Sequence, residues 1–196
     1  MDPARVRTVV LAAGSSVRMG WNKLAEPFDG VPLARRVVTA LADLQPLVVA
    51  TQDAADVLDG LDGITLLLTP PTAGPSVSLG LANRALPPEA TLAVVACDMP
   101  FLNAAVVRAF VRRVPGDADI AYPTVSGTPG HPVVWSPTAR LRLPSLGASQ
   151  SPATLRADTA LRVVGIEEDN DAYVLDVDTP AAWAEAERRF VRQSRS

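Results

Sequence analysis

Short runs of apolar residues alternate along this chain with stretches in which apolar residues return every three or four positions. Val9 to Ala13 contains no polar position and reads as a strand buried on both faces. Leu47 to Ala50, Ile64 to Leu68, Thr91 to Cys97, Asp119 to Val125, Leu161 to Ile166 and Tyr173 to Val177 read as further strands. Helical spacing lies between them, in Leu33, Val37, Val38, Leu41 and Leu44, and in Leu79, Ala82 and Leu86. It returns in Val106, Val107, Phe110, Val111 and Val114, and in Trp183, Ala186 and Phe190. The punctuation agrees. Asp29-Gly30 is a turn signal, Pro32 suits a first helical position, and Asp53 is placed to cap a helix to Leu61. Ser76 and Asn103 suit the caps of the next two helices, and Thr179-Pro180 opens the last. The pattern predicts an α/β fold: a mostly parallel sheet with helices on both faces, in three layers.

Composition narrows the setting. At 196 residues the chain suits one domain, taken as 1–192 with a frayed tail at 193–196. A net charge of −3 argues against a nucleic-acid or anionic-membrane partner, though not against nucleotides, which need only a local basic cluster. Cys97 is the one cysteine, so no disulfide framework is available and a reducing cytoplasm is expected. No apolar run approaches the ~20 residues of a membrane span, and the N-terminus reads as lacking a signal peptide.

The chemistry gathers after the first strand. Val9 to Ala13 stops at Gly14, and small, polar and cationic residues follow: Ser15, Ser16, Arg18 and Lys23. Small residues let backbone N–H groups approach an anion, and two cations lie close by, which points to a triphosphate site. The Walker loop is excluded, because five residues separate Gly14 from Gly20 and Trp21 follows. The dinucleotide fingerprint is excluded because Ser16 stands at its second glycine. An ordinary surface loop after a buried strand is the competing reading of the spacing.

Leu11-Ala12-Ala13-Gly14-x-Ser16-x-Arg18-Met19-Gly20-x-x-Lys23 resembles the signature loop of the MobA-like nucleotidyltransferases. Within that family it is most similar to the molybdenum cofactor cytidylyltransferases; the guanylyltransferase branch usually has Ala-Gly-Gly where this chain has Ala12-Ala13-Gly14. The resemblance implies a Rossmann-like nucleotidyltransferase fold with a nucleotide half at about 1–114 and an acceptor-side half at about 115–192. It implies nucleotide contacts from Leu11 to Ser16, Arg18 and Lys23. Gly74-x-Ser76-x-Ser78-Leu79 is similar to a family segment beside the base, which adds Gly74, Ser76 and Ser78.

Two acidic segments carry the resemblance further. Asp98-Met99-Pro100 resembles the metal-binding Asp-x-Pro of the family, and Asp176-Val177-Asp178-Thr179-Pro180 its late Asp-x-Asp-Thr-Pro. By that likeness Asp98 is the main Mg²⁺ ligand and Asp178 a second. From position alone, each stays open between a ligand and an acid that merely ends a strand or precedes a helix. Open parallel sheets bind ligands at the carboxyl ends of their strands, so Gly14, Asp98 and Asp178 are expected in one crevice. Asp176 is the weaker candidate, two residues along the same expected strand.

Gly130-His131-Pro132 is similar to a Gly-His-Pro segment near the acceptor, so His131 is assigned to acceptor positioning rather than proton abstraction. No base is needed: a phosphate monoester is already anionic at neutral pH, with a second pKa near ~6, and transfer rests on positioning and electrostatics. Arg18, Lys23 and Asp98 are the residues expected to carry it. Cys97 reads as a small buried hydrophobe. Trp21 fits either a stacking role or loop closure.

The resemblance therefore implies a Mg²⁺-dependent enzyme joining CMP from CTP to molybdopterin, with release of pyrophosphate and a molybdoenzyme as client. Gly147 to Pro152 stands where many relatives carry Gly-Asp-x-Gly; the acid is absent, which puts the acceptor in question. GTP or a sugar phosphate as substrate is the first alternative. A non-catalytic molybdopterin or nucleotide carrier is the second. A methylerythritol phosphate cytidylyltransferase is disfavoured by the lack of a His-Asp-x-x-Arg-Pro segment.

Overall fold

The computed structural model of the chain describes residues 3–13 and 21–194. Gly14, Ser15, Ser16 and Arg18 lie outside the described residues, as do 195 and 196; Gln193 and Ser194, expected in a frayed tail, instead belong to the last helix, Pro180–Ser194.

The first strand, β1 (Val6–Ala12), forms the spine of the sheet. It pairs in parallel with β4 (Leu47–Ala50) on one side and β6 (Thr91–Ala96) on the other. Beyond β4 lies the edge strand β5 (Thr65–Leu68). On the far side the order runs β6, β9 (Val133–Trp135), β7 (Ile120–Val125) and β10 (Val163–Glu167), with β8 (Thr128–Pro129) hanging from β7. β9 is antiparallel to both neighbours, whereas β7 and β10 are parallel. A separate two-stranded hairpin, β2 (Pro27–Phe28) and β3 (Val31–Pro32), precedes the first helix. Its turn uses positive φ at Asp29 and Gly30.

Period-two alternation divides the core into two layers. Val9, Leu47, Val49, Leu92 and Val94 face one way; Val10, Ala12, Val48, Ala50, Ala93 and Val95 face the other. The second face is covered by α1 (Leu33–Leu41), α2 (Gln52–Asp56), α4 (Ala104–Arg113) and α6 (Pro180–Ser194). The first is covered by α3 (Pro75–Ala85) and α5 (Pro137–Arg140). Phe110 and Leu33 are fully buried, each worth ~1.5–3 kcal/mol relative to an exposed side chain. The three-layer α/β architecture expected from the pattern is therefore present.

Several local expectations are corrected. Pro32 caps α1 from an extended conformation, because it pairs with Pro27 in the hairpin, and the helix starts at Leu33. Asp53 is not a cap: Thr51 holds that position and Asp53 lies in the first turn, where an acid suits the helix dipole. That helix ends at Asp56, followed by turns through Gly60 at positive φ. Ser76 is not a cap either, since Gly74 caps α3 and Pro75 takes its first position. Asn103 does cap α4, its side chain accepting from Val106 N at 3.0 Å.

Tyr173 to Val177 forms no strand. A 3₁₀ turn at Asp171–Tyr173 leads into unpaired chain held by single contacts. His131 N donates to Tyr173 O at 2.9 Å, and Val177 N donates to Asp98 O at 3.0 Å. Tyr173 and Val177 are buried, and Val174 and Leu175 half-buried, because the segment packs across the end of the sheet, not beside a strand. The face-sharing argument for Asp176 falls with the strand: Asp176 is exposed, whereas Asp178 is half-buried.

Candidate functional site

Two packing arrangements bring distant residues to the carboxyl edge of the sheet. Phe28 meets Trp183 and Phe190 edge to face, with ring centroids 5.3 and 5.7 Å apart, fastening α6 to the hairpin. Lys23 precedes that hairpin and Asp178 precedes α6, so this contact sets them side by side. Asp98 arrives from the end of β6. Cys97 N donates to Leu11 O at 3.0 Å, extending the ladder to the residue before it.

Lys23 Nζ donates to Asp98 Oδ2 at 2.7 Å and also to Asp178 Oδ1. The lysine is 4% exposed, and both carboxylates open partly to solvent. Burial works to lower the Lys23 pKa, but the Asp98 charge and the hydrogen bonds that Lys23 donates to both carboxylates outweigh it. The value is raised, and the ammonium stays charged at neutral pH. Two carboxylates thus converge on one cation.

This constellation closes one end of a cleft of about 570 Å³, a volume suited to a nucleotide-sized ligand. Leu11 and Ala13 form its floor at the end of β1, and the loop from Pro71 to Gly74 forms one wall with Ser78. Beside that loop, where Ser76 Oγ reaches Gln150 O, come Ser151, Pro152, Ala153 and Arg156, and His131, Val133 and Trp135 line the cleft from around β9.

Of the residues expected at a site, Leu11, Ala13, Lys23, Gly74, Ser78, Asp98, His131 and Asp178 line this cleft. Ala12 points away, into the core beneath α1. Ser76 is turned aside, its hydroxyl donating to Gln150 O. Ser78 is buried and donates to Gly74 O at 3.4 Å. Gly130 and Pro132 flank His131 without lining the cleft. Gly14, Ser15, Ser16 and Arg18 fall outside the described residues. Sequence reasoning missed Arg156 and Trp135; an aromatic beside the Gly-His-Pro segment and an arginine after the Gly147–Pro152 stretch were the available signals.

His131 Nδ1 lies 3.0 Å from Val94 O. A carbonyl oxygen only accepts, so Nδ1 carries the proton and Nε2 is the free acceptor of the neutral ring. Burial pushes the His131 pKa below the ordinary value, against the carbonyl bond and the Asp98 charge, which raise it. The unfolded chain therefore binds more protons just below pH 6.5, and stability falls as pH drops through that window. Thermal melts from pH 7.0 to 5.5 are expected to lose stability faster for wild type than for His131→Gln. Equal slopes would show that the ring titrates normally. Cys97, fully buried, has its thiol pKa pushed well above the ordinary value by burial and stays protonated.

Gly130 is required by space. A Cβ there would stand 2.0 Å from Tyr173 O, in the segment that leads to Asp178. Gly130→Ala is expected to cost at least ~2 kcal/mol, since backbone must shift to admit the methyl. A denaturant melt with an unchanged midpoint would contradict that packing.

The donor set fits a hard divalent cation. Asp98 and Asp178 offer oxygens converging on one positive centre, and Mg²⁺ and its kin take one or two carboxylates with phosphate oxygens and water. Among the described residues no group of three or more His, Cys, Asp or Glu side chains is placed to hold a metal alone. No helix among them is long and apolar enough to cross a membrane.

The fold is the three-layer α/β fold of the nucleotidyltransferases. The chain superposes with a TM-score of 0.81 and 28% identity on a homologue of Mycobacterium tuberculosis Rv0371c from Mycobacterium sp. strain JC1, over 97% of this chain and 98% of that one. Rv0371c from M. tuberculosis H37Rv, solved in complex with manganese, matches at 0.76 and 22% identity, over 94% and 98%. A curated relative, the molybdenum cofactor guanylyltransferase of Rhizobium rhizogenes strain K84, is 33% identical over 138 residues, 67% of this chain. The match spans 63% of that relative's length. Residues 8–164 match the MobA-like NTP transferase domain, and the chain belongs to that family.

Proposed function

We propose that the protein is a divalent-metal-dependent nucleotidyltransferase that joins a nucleoside monophosphate to the phosphate of molybdopterin and releases pyrophosphate. One observation carries the reading. Two carboxylates from distant segments meet on one cation in a nucleotide-sized cleft at the carboxyl edge of the sheet. The manganese complex of Rv0371c and the guanylyltransferase relative support it.

Asp98 and Asp178 would hold the metal, which when bound neutralises charge on the phosphate oxygens. Lys23 supplies a permanent positive charge beside them. Gly14, Ser15, Ser16 and Arg18 are assigned to the triphosphate, and Leu11, Ala13, Gly74 and Ser78 to the nucleoside. His131 positions the acceptor; its Nε2 accepts a hydrogen bond and takes no proton from the nucleophile. The acceptor phosphate attacks the α-phosphorus as an oxyanion, the α–β bridging bond breaks, and pyrophosphate leaves with the electron pair. The reaction is placed in the cytoplasm, with a molybdoenzyme as client.

The donor base is where two observations diverge. Ala13 is buried at the cleft floor, and its methyl narrows the space beside the base, which favours CTP. The relative's guanylyl activity supports GTP at least as well. The test is pyrophosphate release from purified protein, molybdopterin and MgCl₂ with each of CTP, GTP, UTP and ATP. CTP is expected to exceed GTP in kcat/KM by roughly tenfold or more, since a methyl in a pocket is worth ~1–3 kcal/mol. A GTP preference would transfer the reading to the guanylyl branch. No pyrophosphate with any donor would leave a carrier.

A further inference from the structure

We infer that Arg156 is the anchor for the phosphate of the acceptor, in the same cleft as Asp98 and Asp178. This inference rests on the nucleotidyltransferase reading above.

Arg156 sits on the 3₁₀ turn Pro152–Ala157, with its guanidinium carbon 4.1 Å from the ring centroid of Tyr122 on β7. It is half-buried and lines the cleft. Among the described residues no carboxylate forms an ion pair with it; its ionisable neighbours are the Tyr122 phenol and the His131 ring. The other buried cations are fully used. Lys23 holds two carboxylates, and Arg140 donates to the carbonyls of Asn83, Leu86, Pro87 and Ala90. A cation partly stripped of water and lacking an internal anion is completed by an anion from a ligand.

Its place selects which anion. His131, which lines the cleft with Asp98 and Arg156, feels both charges: Asp98 raises its pKa and Arg156 lowers it. The cleft is therefore lined by charges of both signs, Asp98 and Asp178 on one hand and Arg156 on the other, together with His131. An acceptor phosphate must approach two carboxylates that repel it, and Arg156 in the same cleft offsets that repulsion. Stacking on Tyr122 fixes the guanidinium plane and leaves its edge N–H groups for two phosphate oxygens, a geometry an ammonium cannot reproduce.

The experiment compares binding of molybdopterin and its phosphatase-treated, dephosphorylated form, without metal or nucleotide, to wild type, Arg156→Gln and Arg156→Lys. Wild type is expected to prefer the phosphorylated form by roughly 10- to 100-fold, the worth of hydrogen bonds to a charged group. Arg156→Gln should abolish the preference and Arg156→Lys restore part of it, with thermal midpoints close to wild type in both. A preference retained in Arg156→Gln, or no preference or no binding in wild type, would overturn the assignment. So would a rise in KM for the nucleotide with KM for the acceptor unchanged, which would mark a donor contact instead. A wild type that binds through Arg156 yet releases no pyrophosphate with nucleotide and Mg²⁺ would leave the anion site standing and defeat the transferase reading.

Discussion

Asp98→Asn is expected to lower the rate of transfer by about 10³-fold, the several kcal/mol that metal-borne charge stabilisation supplies, while leaving the fold intact. The substitution keeps size and one acceptor oxygen but removes a charge. Asp98 is partly solvent-exposed, its backbone carbonyl still accepts from Val177 N, and Lys23 keeps Asp178 as partner. The loss of stability is expected at ~1–2 kcal/mol, between the values for exposed and for buried pairs. Asp178→Asn should reduce activity less, since an amide oxygen can still ligate at a second position. Steady-state rates at saturating Mg²⁺ and denaturant midpoints check both. An Asp98→Asn protein with wild-type turnover would remove the carboxylate from the mechanism. One that fails to fold would recast it as structural.

Lys23→Met is expected to lose about 10²–10³-fold in kcat, the cost of removing one preorganised positive charge from a phosphate-transfer site. Its stability should fall by ~1–2 kcal/mol at pH 7, because two adjacent carboxylates lose their shared partner. The pH dependence distinguishes this origin. The folded-state pKa of Lys23 is raised above the ordinary 10.5, so its contribution is complete below that value and lost only as pH rises through the folded one. The gap in stability between wild type and Lys23→Met should therefore hold constant from pH 7 to 10 and close only beyond. A gap that closes below pH 9 would mean that the lysine is not the charged partner of Asp98 and Asp178.

Much of this arrangement was legible in the chain. Val9 to Ala13, Leu47 to Ala50 and Thr91 to Cys97 announce buried parallel strands because no polar residue interrupts them, and their carboxyl ends locate Ala13 and Asp98. What escaped was set by distant partners. β9 is three residues long and enters the sheet antiparallel between β6 and β7, a pairing that nothing local specifies. Tyr173 to Val177 reads like a strand, yet it crosses the sheet end, held by single backbone bonds to His131 N and Asp98 O. Ser76 looked like a helix cap until the 147–152 segment took its hydroxyl. Lys23 was legible as a cation near phosphate; that it neutralises Asp98 and also Asp178, from the far end of the chain, depends on β6 and on the packing of α6 against the hairpin.

The most direct test of a metal-dependent transferase is the initial rate of pyrophosphate release, with molybdopterin as acceptor, measured against Mg²⁺ concentration for wild type and Asp98→Asn. The wild-type rate should vanish in EDTA and saturate with added Mg²⁺. Asp98→Asn should reach a far lower plateau and require more metal to reach it. Full wild-type activity in EDTA, or superimposable Mg²⁺ curves for the two proteins, would contradict the assignment of the paired carboxylates to a catalytic metal.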